Sequence, residues 1–293
     1  MKILVFGSLN IDHDYHLEHI AAPKETIVAK SYEIAAGGKG LNASIALAKT
    51  GQHIYLAGML GSGSDFLLET LKKFNVDTSL LKNTDIPAGH AIIQIDDHGE
   101  NSIFIYPGSN SAITEPYIDE VLEQFGEGDY IIMQNEINDQ DIIMRKAHDR
   151  GMIIFMNPSP FNSALNSQPL ELVNYFFINE VEGEAFTGRK DPEEILDMMQ
   201  QKYPGSHVIL TLGADGACYS DGTQTVRVAS RKVNAIDTVG AGDTFMGYFI
   251  YGLSQGMNPE ECLKIATAAS SITVQRKGAA AAIPTLEEVQ EVL

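Results

Sequence analysis

Apolar positions along the chain follow two rhythms. Short unbroken runs rich in β-branched residues occur at 2–7, 53–57, 129–134, 152–156, 174–178 and 207–212. Runs of this length without polar alternation suit strands buried on both faces. Between them, apolar residues recur at helical spacing over 40–50, 64–74, 115–125, 138–149 and 191–202. Alternating strands and helices require crossover connections. The pattern therefore predicts an α/β fold, a doubly wound, mostly parallel sheet flanked by helices.

Two stretches break the alternation. One spans 14–35 and includes Thr26-Ile27-Val28-Ala29-Lys30-Ser31-Tyr32-Glu33-Ile34. The other spans 88–107, where Ala91-Ile92-Ile93-Gln94-Ile95 and Ser102-Ile103-Phe104-Ile105-Tyr106 flank a turn at Asp96-Asp97-His98-Gly99. The second reads as a hairpin. Ligands of open α/β sheets bind at the carboxyl ends of the strands. A small β-lid over that edge, built from about 12–35 and 88–107, would account for both stretches; a decorative antiparallel extension is the alternative. With no repeat or long linker, residues 1–293 read as a single domain, and 160–170 as a polar loop.

Composition narrows the function. The 293 residues carry a formal net charge of −19. Such acidity argues against nucleic-acid and anionic-membrane partners, which require a cationic patch. It does not argue against a nucleotide, because a few backbone N–H groups can hold phosphates inside an acidic protein. The two cysteines, Cys218 and Cys262, form no CxxC pair and read as reduced buried thiols. The apolar start, Lys2-Ile3-Leu4-Val5-Phe6-Gly7, is too short for a signal segment, so a cytoplasmic location is expected.

Residues 235–247 hold the most specific chemistry: Ala235-Ile236-Asp237-Thr238-Val239-Gly240-Ala241-Gly242-Asp243-Thr244-Phe245-Met246-Gly247. The glycines permit a tight turn, and Phe245, Phe249 and Leu253 then recur at helical spacing. The loop therefore opens a helix whose free N–H groups form an anion pocket. Asp243 falls in its first turn. A carboxylate there can be a simple dipole partner. Asp237, six positions earlier, and the hydroxyls of Thr238 and Thr244 point instead to charge management around a transferring phosphoryl group. The loop is not a Walker A, since Gly38-Lys39 is followed by Gly40, and no dinucleotide fingerprint follows a strand.

Asp237-Thr238-Val239-Gly240-Ala241-Gly242-Asp243-Thr244-Phe245 is similar to the C-terminal signature of the ribokinase (PfkB-type carbohydrate kinase) family, and Ala36-Gly37-Gly38-Lys39-Gly40-Leu41-Asn42 resembles its N-terminal signature. Gly7-Ser8-Leu9-Asn10-Ile11-Asp12, Met133-Gln134-Asn135-Glu136, Asn157-Pro158-Ser159-Pro160, Asn179-Glu180-Val181-Glu182, Thr211-Leu212-Gly213 and Arg276-Lys277-Gly278-Ala279 extend the likeness nearly end to end. The resemblance implies an ATP-dependent sugar kinase with a β-lid. It implies Asp243 as catalytic base and the N–H groups of Gly240, Ala241 and Gly242 as an anion hole. Asn179 and Glu182 would organise Mg²⁺ through water, while also fitting a helix capping box. Thr211 and Gly213 would line the nucleotide; the Gly213–Gly216 turn would equally serve a hairpin.

Asp12, Gly38, Lys39, Asn42 and Glu136 match sugar-holding positions, and a Lys after the glycine pair resembles ribokinases more than fructokinases or nucleoside kinases. D-ribose is the expected substrate, with 2-deoxyribose, fructose or adenosine as alternatives, and a non-catalytic sugar or nucleotide sensor as a different class. The resemblance also implies a K⁺-type monovalent cation held by Asp237, Val239, Thr273, Arg276 and Gly278, and a homodimer joined through the lids. Departures are Gly61-Ser62-Gly63-Ser64-Asp65 for Gly-Asp-x-x-Gly, Pro23-Lys24-Glu25-Thr26 for Pro-Gly-Glu-Thr, and Ala282 where the last cation ligand is commonly Ser. His13, His16 and His19 would make a metal site only on a helix face, and this segment reads as lid or loop.

Overall fold

The computed structural model describes residues 1–293. The chain begins with β1 (Ile3–Phe6), β2 (Asn10–His16), β3 (Ser31–Gly37), α1 (Lys39–Ala48), β4 (Ile54–Ser62), α2 (Asp65–Lys73) and β5 (Leu81–Pro87). It continues through β6 (Gly89–Ile95), β7 (Asn101–Tyr106), α3 (Glu115–Leu122), β8 (Tyr130–Gln134), α4 (Gln140–Asp149), β9 (Ile153–Asn157), β10 (Tyr175–Asn179), α5 (Glu180–Thr187) and α6 (Pro192–Lys202). The last elements are β11 (His207–Thr211), β12 (Ala217–Ser220), β13 (Thr225–Val228), α7 (Ala241–Ser254), α8 (Pro259–Thr273) and α9 (Leu286–Gln290).

Nine strands form the central sheet in the order β13-β12-β11-β10-β9-β8-β1-β4-β5. β1 lies at the switch point, parallel to both β4 and β8, with Ile3 opposite Ile54 and Tyr130. Its successive residues enter different cores. Ile3 and Val5 join Ile45, Phe249 and Leu263 on one face. Leu4 and Phe6 join Ile118, Ile143 and Leu196 on the other. Burial on both faces is why the strand sequences are unbroken apolar runs. The expected doubly wound sheet is thus borne out. No helix is long and apolar enough to cross a membrane.

Three sheet strands escaped the hydrophobic pattern. β5 reads Leu-Lys-Asn-Thr-Asp-Ile-Pro and forms an exposed edge. β12 and β13 are four residues each and antiparallel to their neighbours. The Gly213–Gly216 turn does join an antiparallel pair, β11 and β12. The 160–170 loop is not featureless: short 3₁₀ turns at Ser163–Ser167 and Leu170–Leu172 bury Leu165 and Leu170.

The second sheet has the order β3-β2-β6-β7. β6 and β7 are the expected hairpin, with the Asp96 carboxylate accepting the N–H groups of His98 (2.8 Å) and Glu100 (2.9 Å) across its turn. Register places Asp12, Asp14, Ile93, Ile103 and Ile105 on one face, and His13, Tyr15, Tyr32, Ile34, Phe104 and Tyr106 on the other. Ile103 reaches the cavity beside Asp243, so the first face is the inner one. His13 and His16 therefore point to opposite faces of a strand, and His19 pairs with Glu25, so the three histidines do not converge.

Candidate active site

α7 begins at Gly240, whose φ is 75°. That backbone conformation selects glycine, and a Cβ there would press on the Cα of Ala279 at 3.1 Å. The helix N-terminus leaves the N–H groups of Gly240, Gly242 and Asp243 without a partner in the chain, whereas Ala241 N–H turns back to the Thr238 carbonyl at 3.3 Å. Ala241, expected among the free donors, is thus engaged, and the N–H of Asp243 itself is free in its place. A turn closed on Thr238 makes that exchange.

The Asp243 side chain is buried, 4% exposed. Asn42 donates Nδ2–H to its Oδ2 at 3.1 Å, and its Oδ1 is buried with no partner. An unpaired buried carboxylate oxygen is costly in a fold. Its position in the cavity makes it an acceptor awaiting a donor. Asn42 comes from α1, whose N-cap Gly38 has φ 93°, and a side chain there would strike the backbone of Asn10 at 2.8 Å.

This glycine turn brings the acids together. Lys39 N–H donates to Glu136 Oε2 at 3.0 Å, and the Ser8 hydroxyl donates to the same oxygen. Burial disfavours the charged Lys39, but the carboxylates of Asp243, Glu136 and Glu182 outweigh it and raise its pKa. Asp12 is raised to about 7, first by burial and then by Asp14, Glu136 and Asp243. Its backbone is paired in β2, but its carboxyl group makes no hydrogen bond within the chain. Of the sugar-holding positions expected from the sequence, Lys39 lines a cavity together with Asp243. Asp12, Gly38, Asn42 and Glu136 do not line it, but Glu136 bonds the Lys39 N–H and Asn42 bonds Asp243.

Two cavities adjoin at Thr211, Thr238, Gly242 and Phe245. The smaller, 300 Å³, holds Lys39, Asn179, Glu182, Gly240 and Asp243. The larger, 570 Å³, is lined by Gly213, Ala241 and Thr267 among others. Asn157, Ser159 and Phe177 also face the smaller one. The sequence singled out none of these three as site residues, although Asn157 and Ser159 belong to the Asn157-Pro158-Ser159-Pro160 motif at the end of β9.

Asn179 and Glu182 form the capping box of α5, with Asn179 Oδ1 accepting Glu182 N–H at 2.9 Å and Glu182 Oε2 accepting Asn179 N–H at 3.0 Å. Glu182 lines the cavity, and its Oε1 accepts no hydrogen bond within the chain, which fits a hydrated Mg²⁺. Asp237 joins two loops: its carboxylate accepts Val239 N–H at 3.0 Å and Gly278 N–H at 2.9 Å. The carbonyls of Asp237, Val239, Arg276 and Gly278 accept no hydrogen bond within the chain, whereas that of Thr273 accepts Arg276 N–H at 3.0 Å. Four free carbonyls in neighbouring turns are a donor set that fits K⁺. Ala282 is fully buried and offers only its backbone.

Residues 1–286 match the family described as pfkB family carbohydrate kinase. A ribokinase of Staphylococcus aureus (strain COL) is 34% identical, over 99% of this chain and 99% of its own. The crystal structure of ribokinase from Cryptococcus neoformans var. grubii serotype A in complex with ADP is similar at a TM-score of 0.89 and 32% identity, covering 100% of this chain and 99% of that one. Arabidopsis thaliana ribokinase complexed with ribose and ATP is similar at 0.86 and 27%, covering 99% and 98%.

Proposed function

The chain belongs to the pfkB family of carbohydrate kinases and is an ATP-dependent sugar kinase, and on that premise we propose that it phosphorylates the terminal hydroxyl of D-ribose, giving D-ribose 5-phosphate. The observation that carries the reading is the unpartnered Oδ1 of Asp243, buried beside free helix N–H groups and the Lys39 ammonium.

Asp243 takes the proton of the terminal hydroxyl. The freed oxygen attacks the γ-phosphorus, the bond to the β-phosphate oxygen breaks, and ADP leaves. Charge on the passing phosphoryl group meets the N–H groups of Gly240, Gly242 and Asp243, which are already aimed at it, so little reorganisation is needed. Ala241 closes the turn that aims them. Lys39, Asp12, Gly38, Asn42 and Glu136 hold the sugar; a pentose exposes several hydroxyls, and this set offers both acceptors and donors. Thr211 and Gly213 line the nucleotide.

Mg²⁺ bound through water at Asn179 and Glu182 would neutralise phosphate charge. A monovalent cation at Asp237, Val239, Thr273, Arg276 and Gly278 would hold the anion-hole turn against the loop carrying Ala279. We further propose that two copies pair through the outer lid face, where Tyr32, Ile34, Phe104 and Tyr106 are exposed apolar side chains. Use of ATP accords with the cytoplasmic location expected from the sequence.

The test is ADP release from Mg-ATP with ribose, 2-deoxyribose, fructose, adenosine and no sugar, each with and without K⁺. Ribose should give the highest kcat/KM. Preference for another acceptor would overturn ribose and keep the kinase.

A further inference from the structure

One side chain that the reaction leaves without a role ties the loop at 276–279 to α9. Arg276 donates through Nη1 and Nη2 to the two carboxylate oxygens of Glu288, at 3.2 and 2.6 Å. A planar two-bond fork fixes orientation as well as distance. Glu288 is itself fixed. It completes the capping box of α9, accepting Thr285 N–H at 2.8 Å. Hydrogen bonds from Arg276 and Thr285 hold its carboxyl below the usual range. The helix is anchored in turn: Val289 is fully buried, Leu286 N–H donates to the Lys49 carbonyl at 3.3 Å, and the Lys49 ammonium donates to the Ile283 carbonyl.

On the other side of Arg276 the chain enters the site within three residues. Gly278 N–H meets Asp237 at 2.9 Å, and Ala279 packs against Gly240 at the start of α7. The guanidinium is thus tied to a rigid post, while the backbone of the same residue presents a free carbonyl.

We propose that Glu288 is a positioning residue for the monovalent cation: by clamping Arg276 it aims the carbonyls of Arg276 and Gly278. This rests on the cation reading given above. A half-exposed ion pair contributes little to global stability. Groups that orient metal ligands nonetheless shift affinity by about 10–100-fold.

The experiment measures initial rate and, independently of turnover, the thermal midpoint against KCl, with ionic strength held by tetramethylammonium chloride, in the wild type, Glu288→Gln and the charge-swapped double variant Arg276→Glu with Glu288→Arg. Glu288→Gln should raise half-saturating K⁺ about tenfold. Its rate at saturating K⁺ and its sugar KM should stay within about twofold of wild type. The swapped pair should recover part of the loss. An unchanged half-saturation in Glu288→Gln, with the wild type still activated by K⁺, sinks the clamp and spares the cation reading. A wild type indifferent to K⁺ removes both. Should Glu288→Gln not fold, Arg276→Lys serves instead, since an ammonium cannot form the fork; the same rise is expected, and no rise again overturns the clamp.

Discussion

Asp243 and Asp12 are two buried acids with opposite consequences for the protein. Asp243→Asn keeps the shape and the contact to Asn42 but removes the base. Turnover should fall by about 10²–10⁴-fold with ATP affinity retained; steady-state kinetics with near-normal kcat would remove Asp243 from the mechanism. Asp12 has a pKa of about 7 in the fold against 3.8 for an unperturbed aspartate. A raised carboxylate pKa means that the folded state holds the proton more tightly than the unfolded chain. The stability it confers is full below 3.8 and is lost as pH rises through about 7. That ionisation costs up to ~4 kcal/mol above neutrality. Asp12→Asn should therefore raise Tm at pH 8 and leave it nearly unchanged at pH 3.5. The same variant should lose the sugar. In the wild type, kcat/KM for sugar should fall as pH drops through about 7, as the acceptor is protonated. A pH-independent difference in Tm would contradict the assignment. The glycines and acids of both signatures could be named from sequence because their chemistry is local. Asn157, Ser159 and Phe177 could not, because their convergence depends on neighbouring strand ends meeting at one edge.

The same division between local and long-range information governs the elements. Strands buried on both faces announce themselves, and their limits in the structure fall close to those read from the apolar runs, except that β4 runs on past 57 to Ser62, where Gly58 and Gly61 broke the apolar run. Edge strands do not: β5 carries Lys82, Asn83 and Asp85 because one side meets solvent, and polar residues there also discourage pairing with other chains. The capping box of α5 shows an element doing two tasks. Asn179→Ala should cost about 1 kcal/mol of stability through the lost cap. If Asn179 also organises Mg²⁺, the concentration of Mg²⁺ giving half-maximal rate should rise in the same variant. Glu180→Ala, in the same turn but outside the box, is the control. A fall in Tm with unchanged Mg²⁺ dependence would confine Asn179 to capping.

At the scale of the whole molecule, the lid and the net charge pull against each other. The outer lid face exposes Phe104 at 57% and Ile34 at 55%, opposite one another across His13 and Ile92. An apolar face of this kind favours a second copy. Each copy carries −19, however, and like charge opposes approach. Added salt shortens the screening length to about 8 Å at 0.15 M and weakens the repulsion, while the apolar attraction persists. Association should therefore strengthen from low to moderate NaCl, the reverse of an assembly held by ion pairs. Sedimentation velocity at micromolar protein should show a larger dimer fraction at 0.3 M than at 0.01 M NaCl. Phe104→Glu should give monomer at both, because it buries an unpaired charge in the contact. Phe104 lies on the face away from Asp243, so the monomeric variant should keep its chemistry and lose only what pairing adds to lid closure. This would appear as a higher sugar KM at similar kcat. Wild-type monomer at both salt concentrations, or dimer that weakens with salt, would rule out this face as the contact.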